Sequence, residues 1–425
     1  MKWISKARIL LCCSAFAMAS ITDTNAQTLS PEERASIIQQ IKTEVKTELL
    51  DSLRAVGVQF PQAPAQAAPA TAQVANPAIM DTTTGIRIGK LAIGGYVDAY
   101  YGYNFNQPSS GDVPYMVSMA RHNEANINLA AIDVRYTSQR LRSVLVLGFG
   151  SYVNANYAAE PASLKNLIEA RVGVKPFKRK EIWIDFGVLG SPYTNESAIS
   201  KDHLMYTRSF APEYVPYYLA GFKISVPLGK RVNGYLYLLN GWQQIMDANS
   251  GKSVGTQIEW RVGKKSLLNW NTYVGDERSA LAPQNRMRYF TDVFWIFNPD
   301  GKFSLTSCAY IGLQERVDSL GTSSTYKHWW QANVIGRYSF SPKISLSGRF
   351  EYFSDPSSVQ ITALNTRGAF STFSAGLCFN LKLFDNAMFR LEGRHFFSEK
   401  NVYQAENGKP RSQMTWLVGN LTLWF

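Results

Sequence analysis

Residues 253–275 read SVGTQIEWRVGKKSLLNWNTYVG, and the fold turns on this stretch. Val254, Thr256, Ile258, Trp260 and Val262 alternate with Gln257, Glu259 and Arg261. Alternation at a period of two marks a β-strand, because successive side chains leave opposite faces of the chain. Lys264-Lys265 breaks the run, and a second strand-like segment follows at 266–275. The stretch reads as a hairpin with one apolar and one polar face.

The same pattern recurs over most of the chain. Ile168, Ala170, Val172 and Val174 alternate with Glu169, Arg171 and Lys175, and Ile182, Ile184, Phe186 and Val188 with Trp183 and Asp185. Ile344, Leu346, Phe350 and Tyr352 alternate with Ser345, Ser347, Arg349 and Glu351. Phe389 and Leu391 alternate with Arg390, Glu392 and Arg394. Two architectures produce such faces. A soluble sandwich turns the apolar face inward, whereas a transmembrane barrel turns it to lipid and the polar face to a lumen. Period alone does not separate them.

Loop lengths do. Sixteen candidate strands lie near 91–105, 124–137, 141–153, 166–175, 181–189, 217–227, 232–242, 253–263, 266–275, 287–297, 302–314, 328–339, 343–353, 368–381, 387–397 and 413–425. Short turns between them, such as Pro176 to Lys180 and Leu228 to Arg231, alternate with long loops at 106–123, 154–165, 190–216, 243–252, 276–286, 315–327, 354–367 and 398–412. Short periplasmic turns and long outer loops are the barrel arrangement, and a Greek-key sandwich has no reason to keep it. The expected fold class is all-β: a transmembrane antiparallel β-barrel of about 16 strands, within a range of about 14–18. The range reflects 124–137 and 287–297, which alternate poorly. An even count puts both mature termini on the periplasmic side.

The final residues, LVGNLTLWF, place Leu417, Leu421, Leu423 and Phe425 on one face. They resemble the C-terminal strand signal of bacterial outer-membrane proteins, which implies barrel closure and recognition by the barrel-assembly machinery. At the other end, Lys2, Lys6 and Arg8 precede the apolar run Ile9 to Ser20, and Thr24-Asn25-Ala26 offers a cleavage site. That is the layout of a secretory signal over 1–26, too short to span a bilayer. Residues 27–60 read as a periplasmic amphipathic helix. Ser30 is its candidate cap, Pro31 opens the first turn, and apolar groups follow from Ile38 to Val56 at steps of three or four. Residues 61–84 form a Pro/Ala-rich linker, and the barrel occupies 85–425. The helix either joins barrels into a homotrimer or serves as a loose tether.

Composition agrees with export into a membrane. No apolar run long enough for a spanning helix follows the signal, yet 13% of the residues are aromatic. Cys308 and Cys378 remain after cleavage, on strands separated by two others. At about 4.8 Å per strand the thiols stand roughly 14 Å apart, beyond disulfide reach.

Several strings resemble the β-barrel porin-2, OmpL-like family of Bacteroidota-type bacteria: GGYVDAYYGYNFNQP from Gly94, MYTRSFAPEYVPYYLAGFKIS from Met205, LLNGWQQIMDANSGKSVG from Leu238, YVGDE from Tyr273 and GRFEYFSD from Gly348. The resemblance covers roughly 91–425. It implies a barrel and brings no catalytic or ligand-binding residues with it.

The formal charge of +12 falls to +10 once residues 1–26 are removed. The short turns and their flanks hold Arg140, Arg142, Lys175, Lys178, Arg179, Lys180, Lys230, Arg231, Lys264, Lys265, Lys302 and Lys343 against Glu181, Asp300 and Asp385. That rim accounts for nearly the whole excess, and screening over about 8 Å limits its reach into a pore. It is a natural face for the headgroups of outer-membrane lipid.

The loop 190–216 is the longest and follows the fifth strand, where general porins carry a loop that folds inward and narrows the barrel. It holds Glu196, Lys201, Asp202, His203, Arg208 and Glu213. With Glu169, Arg171, Asp185, Arg349, Glu351, Arg390, Glu392 and Arg394 on the wall, these are the candidate pore-lining residues, a set of opposed charges able to filter solutes. The alternative is an outward loop over a solvated wall. His122, His203, His328 and His395 lack metal-ligand spacing, so no metal or cofactor is expected. Asp202, His203 and Ser209 are a chance grouping in a polar loop, and the basic turns lack the interleaved aromatics of a nucleic-acid groove. The sequence thus points to an outer-membrane channel of a Gram-negative bacterium through which small hydrophilic solutes diffuse. The alternatives are a barrel enzyme and a surface-binding or adhesive barrel with a plugged lumen.

Overall fold

The computed structural model describes residues 85–425, apart from 264, 299–300, 319–320 and 364–367, and before them only Gln40, Glu44, Val58 and Gln59. The signal and linker lie outside the described residues. Of the predicted N-terminal helix, Gln40 and Glu44 are helical, and the Gln40 amide donates to the Glu44 carboxylate at 3.4 Å.

Sixteen strands form the wall: β1 Leu91–Asn104, β2 Ala125–Thr137, β3 Leu141–Phe149, β4 Leu167–Val174, β5 Trp183–Gly190, β6 Tyr218–Pro227, β7 Val232–Leu239, β8 Ser253–Arg261, β9 Ser266–Asp276, β10 Asn285–Phe297, β11 Phe303–Val317, β12 Ser324–Ser339, β13 Ile344–Asp355, β14 Phe370–Phe384, β15 Ala387–Phe397 and β16 Gln413–Trp424. Each pairs antiparallel with its neighbours in sequence. Closure comes from β16 against β1, from Trp416 opposite Asn104 to Trp424 opposite Tyr96. Phe425 extends that seam, exchanging hydrogen bonds of 2.9 and 3.0 Å with Gly95. Leu417, Leu421, Leu423 and Phe425 all point outward and are exposed.

The faces settle the choice between sandwich and barrel. Outward-facing Val172, Phe186, Phe350 and Leu377 are more than half exposed, whereas inward-facing Asp98, Asp185, Glu392 and Arg390 are fully buried. A soluble sandwich requires the reverse. A protein surface this apolar is stable only against hydrocarbon, where a closed barrel leaves no strand edge unpaired. Trp260, Trp270 and Trp295 stand on the outer face, as interfacial girdle residues do, while Trp242, Trp329 and Trp416 turn inward.

The two segments whose alternation is poor are strands with irregular pairing. Between β1 and β2 the register runs from Asp98 opposite Leu129 to Ala99 opposite Ile127, leaving Asn128 as an extra residue. A bulge of this kind re-aims a side chain: Asn128 and Leu129 are both buried, and Asn128 reaches Asp98 and the amide of Met119. β10 shifts register likewise between Asn285 and Arg288. At the start of the wall, Ile86–Ile88 folds back on β1 through a turn at Gly89, whose φ of 60° suits glycine.

Candidate functional site

The lumen is where the polar face of the wall meets the long loops. The segment 191–217, between β5 and β6, does not project outward. It crosses the barrel interior and is tied to the wall from β10 round to β1. Thr194 N donates to Asp292 at 2.6 Å, and Asn195 reaches Thr306 and Asn333. The amides of Tyr206 and Thr207 both donate to Glu392 at 2.9 Å, and that of Phe210 to Glu351 at 2.7 Å. Arg390 and Arg394 donate to the carbonyls of Ser200 and Arg208. Tyr96 accepts from the Ser200 amide, and the Tyr206 hydroxyl donates to Asp98 at 2.9 Å. Hydrogen bonds to charged groups contribute about 1.5–3 kcal/mol each, so this many cross-lumen ties fix the segment firmly. Ser209 caps a single helical turn, Phe210–Glu213, whose Phe210 ring packs against Phe353, Phe370 and Phe396 of the wall.

A second loop, between β1 and β2, braces the first. Glu213 accepts from the Ser118 amide and the Tyr217 hydroxyl, and Tyr214 donates to the carbonyl of Tyr115. Burial pushes the Glu213 carboxyl up. At Glu196 burial pushes the same way, but His203, Arg349 at 3.9 Å and the donation from Ser209 outweigh it and hold the carboxyl down at about 2.

All eight wall candidates face the lumen, but they form two clusters. Arg349, Glu351, Glu392 and Arg394, from β13 and β15, are interlocked: Arg349 pairs with Glu392 at 2.9 Å and lies 3.5 Å from Glu351, which Arg394 also holds. Arg390 lies beside them under Ser200. Glu169, Arg171 and Asp185 stand on β4 and β5 and join a separate set with Asp133, Arg135, Arg142 and Lys223. Of the loop candidates, Glu196, Arg208 and Glu213 are buried in the inward segment. Arg208 donates to the carbonyls of Ser197, Ala198 and Tyr206, while Lys201 pairs with Asp202 at 2.8 Å.

Several lumen residues were missed. Arg142 belongs on the inner wall, where it clasps Asp185, and not on the basic rim with which it was counted. Lys223, Asp133 and Asp98 carried a findable signal, because each sits in phase with the inward residues of its strand. Asn128 did not, because its bulge breaks the phase. Asp202, His203 and Ser209 do not assemble into a nucleophilic set. Ser209 bonds Glu196, His203 accepts from the Ser197 amide, and Asp202 is held by Lys201. Among the described residues no three His, Cys, Asp or Glu side chains are placed to hold a metal ion.

The wall does not stay covered everywhere. A cavity of about 250 Å³ opens between β3 and β7 toward the short turns, lined by Arg142, Arg171, Trp183, Lys223, Asn233 and Tyr235 among others.

The sequence profile of the beta-barrel porin-2, OmpL-like family matches residues 90–423, the whole barrel wall to within two residues at its end. The chain belongs to this family. Comparison with curated protein sequences gave no match. Among solved structures, the porin-2 barrel is similar to the outer membrane channel DcaP of Acinetobacter baumannii, at 11% identity and a TM-score of 0.53, over 79% of this chain and 97% of that one. It is also similar to OmpT, an outer membrane protein of Vibrio cholerae, at 10% identity and a TM-score of 0.50, over 83% of this chain and all of that one. An anion-selective porin from Comamonas acidovorans matches at 8% identity and a TM-score of 0.50, over 79% of this chain and 99% of that one. At such identities the likeness is one of fold. Family and fold together make the porin-2 barrel an outer-membrane diffusion channel.

Proposed function

We propose that the barrel passes small hydrophilic solutes down their gradient, without cofactor or catalysis, and that the segment 191–217 sets the constriction. The observation that carries this reading is the segment's course: it runs inside the wall, held by Asp292, Glu351, Glu392 and Asp98, at the position where it governs the free cross-section. The pore-lining set is then smaller than the thirteen charged candidates. The β13 and β15 charges hold the segment, and of the β3–β6 charges Arg142 and Lys223 keep part of their side chains open to the cavity. The proposal extends to the rest of the chain: residues 1–26 direct export, 27–84 lie in the periplasm as helix and linker with both mature termini on that side, and the barrels assemble as a homotrimer. Outer-membrane lipid surrounds the wall, and the β16 strand is what the assembly machinery would recognise.

One observation favours a second reading. The inward side chains of β9 to β16 are nearly all buried, the condition of a plugged barrel whose outer loops bind at the surface. Reconstitution of the purified chain in a planar bilayer with unequal KCl on the two sides separates the two. A diffusion channel gives stable unitary currents and a reversal potential. A plugged barrel inserts without them.

A further inference from the structure

The cavity between β3 and β7 lies inside the lumen, at the short-turn end, and its charges do not balance. Arg135 pairs with Asp133 at 2.7 Å, Arg171 with Glu169 at 2.5 Å and with Asp185 at 2.7 Å, and Arg142 clasps both oxygens of Asp185. Three carboxylates are thereby taken by three guanidinium groups. Lys223 is the fourth cation. Its ammonium stands 4.0 Å from Asp185, beyond hydrogen-bond reach, and donates no hydrogen bond among the described residues. The next carboxylates are occupied: Glu259 is held by Arg261 at 3.0 Å and by Asn233, and Glu181 by Lys175. The Arg142 guanidinium lies 4.3 Å over the Trp183 ring, so that ring forms an apolar side of the same cavity.

An ammonium with three unused donors, beside two guanidinium groups and an indole, in a cleft whose walls focus the field, is suited to an oxyanion. We infer that Lys223, Arg142 and Arg171 form a binding station for small oxyanions, carboxylate or phosphate, at the short-turn mouth of the lumen. The proposal deepens the diffusion reading by naming a solute class that would be drawn to this mouth. The site itself stands whether or not the lumen conducts. Its polarity arises from the wall and not from the basic rim, where Lys178, Lys180, Lys230, Lys302 and Lys343 are exposed.

Iodide quenching of Trp183 reads the site directly. The full chain is solubilised in detergent at low ionic strength, and the Trp183 contribution is taken as the difference between wild type and Trp183→Phe. Lys223→Met is expected to lower iodide quenching of that contribution about threefold. Phosphate or succinate, compared with chloride at matched ionic strength, is expected to protect Trp183 in the wild type and not in the variant. Protection by one of the two anions alone supports the site and names its chemistry. The proposal is overturned if Lys223→Met leaves quenching unchanged, if Lys302→Met on the rim lowers it equally, or if neither anion protects better than chloride. Bilayer currents on the same preparation keep the two claims apart. Lys223-dependent protection without current removes diffusion and keeps the site, and current without protection does the opposite.

Discussion

On β13 and β15, Arg349, Glu351, Glu392 and Arg394 are at most 3% exposed, whereas on β3 and β6 the side chains of Arg142 and Lys223 keep 25% and 15% of their surface. Both regions are written in one sequence code, apolar residues alternating with charges of both signs, and both pair those charges across the lumen wall. The difference lies in what lands on them. The first cluster receives the amides of Tyr206, Thr207 and Phe210 and offers donors to the carbonyl of Arg208. The second makes its hydrogen bonds within the wall and opens to a cavity. A charged lumen face therefore has no fixed role. Under an inward loop it is a clamp, and without one it borders an open cavity.

The comparison is broken most directly by removing the loop. Deleting residues 195–210 takes away the groups that cover β13–β15 and should raise single-channel conductance about twofold or more, since a barrel of this strand number is wide enough for an aqueous channel once cleared. Gel mobility of the unboiled sample confirms that the barrel has formed. An unchanged conductance in a folded barrel would remove this segment from the pore. Next in size is the clamp itself. Glu392→Gln leaves Arg349 buried without its 2.9 Å partner and weakens the seat of two loop amides. Removal of one member of a buried pair costs about 3–5 kcal/mol. The temperature at which the unboiled band shifts to unfolded mobility should drop accordingly, and protease should cut within 191–217. If the same charge removal in the partner, Arg349→Met, is combined with it, the losses should fall short of additive.

The wall was legible in the sequence because it obeys a rule with period two. Sixteen strands, the closing pair and the inward phase of Glu169, Asp185, Arg349 and Glu392 all follow from alternation, and the longest loop was placed correctly after the fifth strand. The clamp was not legible, because no local pattern states that the amides of 206–210 need carboxylates from β13 and β15, more than 140 residues away. Grouping all eight wall charges into one constriction assumed a common environment. Burial by a loop is a tertiary fact, and it divided them. Arg142 was assigned to the rim from its nearness to a turn, although its phase already put it inward, opposite Gly173 and toward Asp185.

The open cluster should be far more forgiving than the clamp. In Arg142→Met, Asp185 keeps Arg171 at 2.7 Å, and the lost guanidinium was a quarter exposed. With Lys223 also 4.0 Å away, the buried carboxylate is not left without a cation. The heat-shift midpoint should therefore move little, in contrast to Glu392→Gln on the same gel. Equal destabilisation by the two variants would mean that the β3–β6 charges are as structural as the clamp, and the contrast between the regions would fail.

Acid offers the smallest and sharpest perturbation, because it acts on the loop and leaves the wall sequence intact. Glu196 is held near 2 against an ordinary 4.5, so its contribution to seating the loop is complete above 4.5 and disappears only as the pH falls through about 2. His203 is buried, and burial holds its pKa below 6.5. The unfolded chain therefore takes up that proton first, and stability declines as the pH drops below 6.5. Between pH 7 and 5 the wild type should therefore lose stability, read as a fall in the heat-shift midpoint. His203→Gln should make the midpoint less dependent on pH below 6.5 than in the wild type. Glu196→Gln should lower it at both pH values, and by more at pH 5, because the Glu196 carboxylate 3.7 Å away also helps His203 to take its proton. Stability that did not fall as the pH dropped below 4.5 would show that Glu196 titrates at its ordinary value, since a group whose pKa is unchanged by folding adds no pH dependence, and that the covered half of the lumen is wetter than its geometry implies.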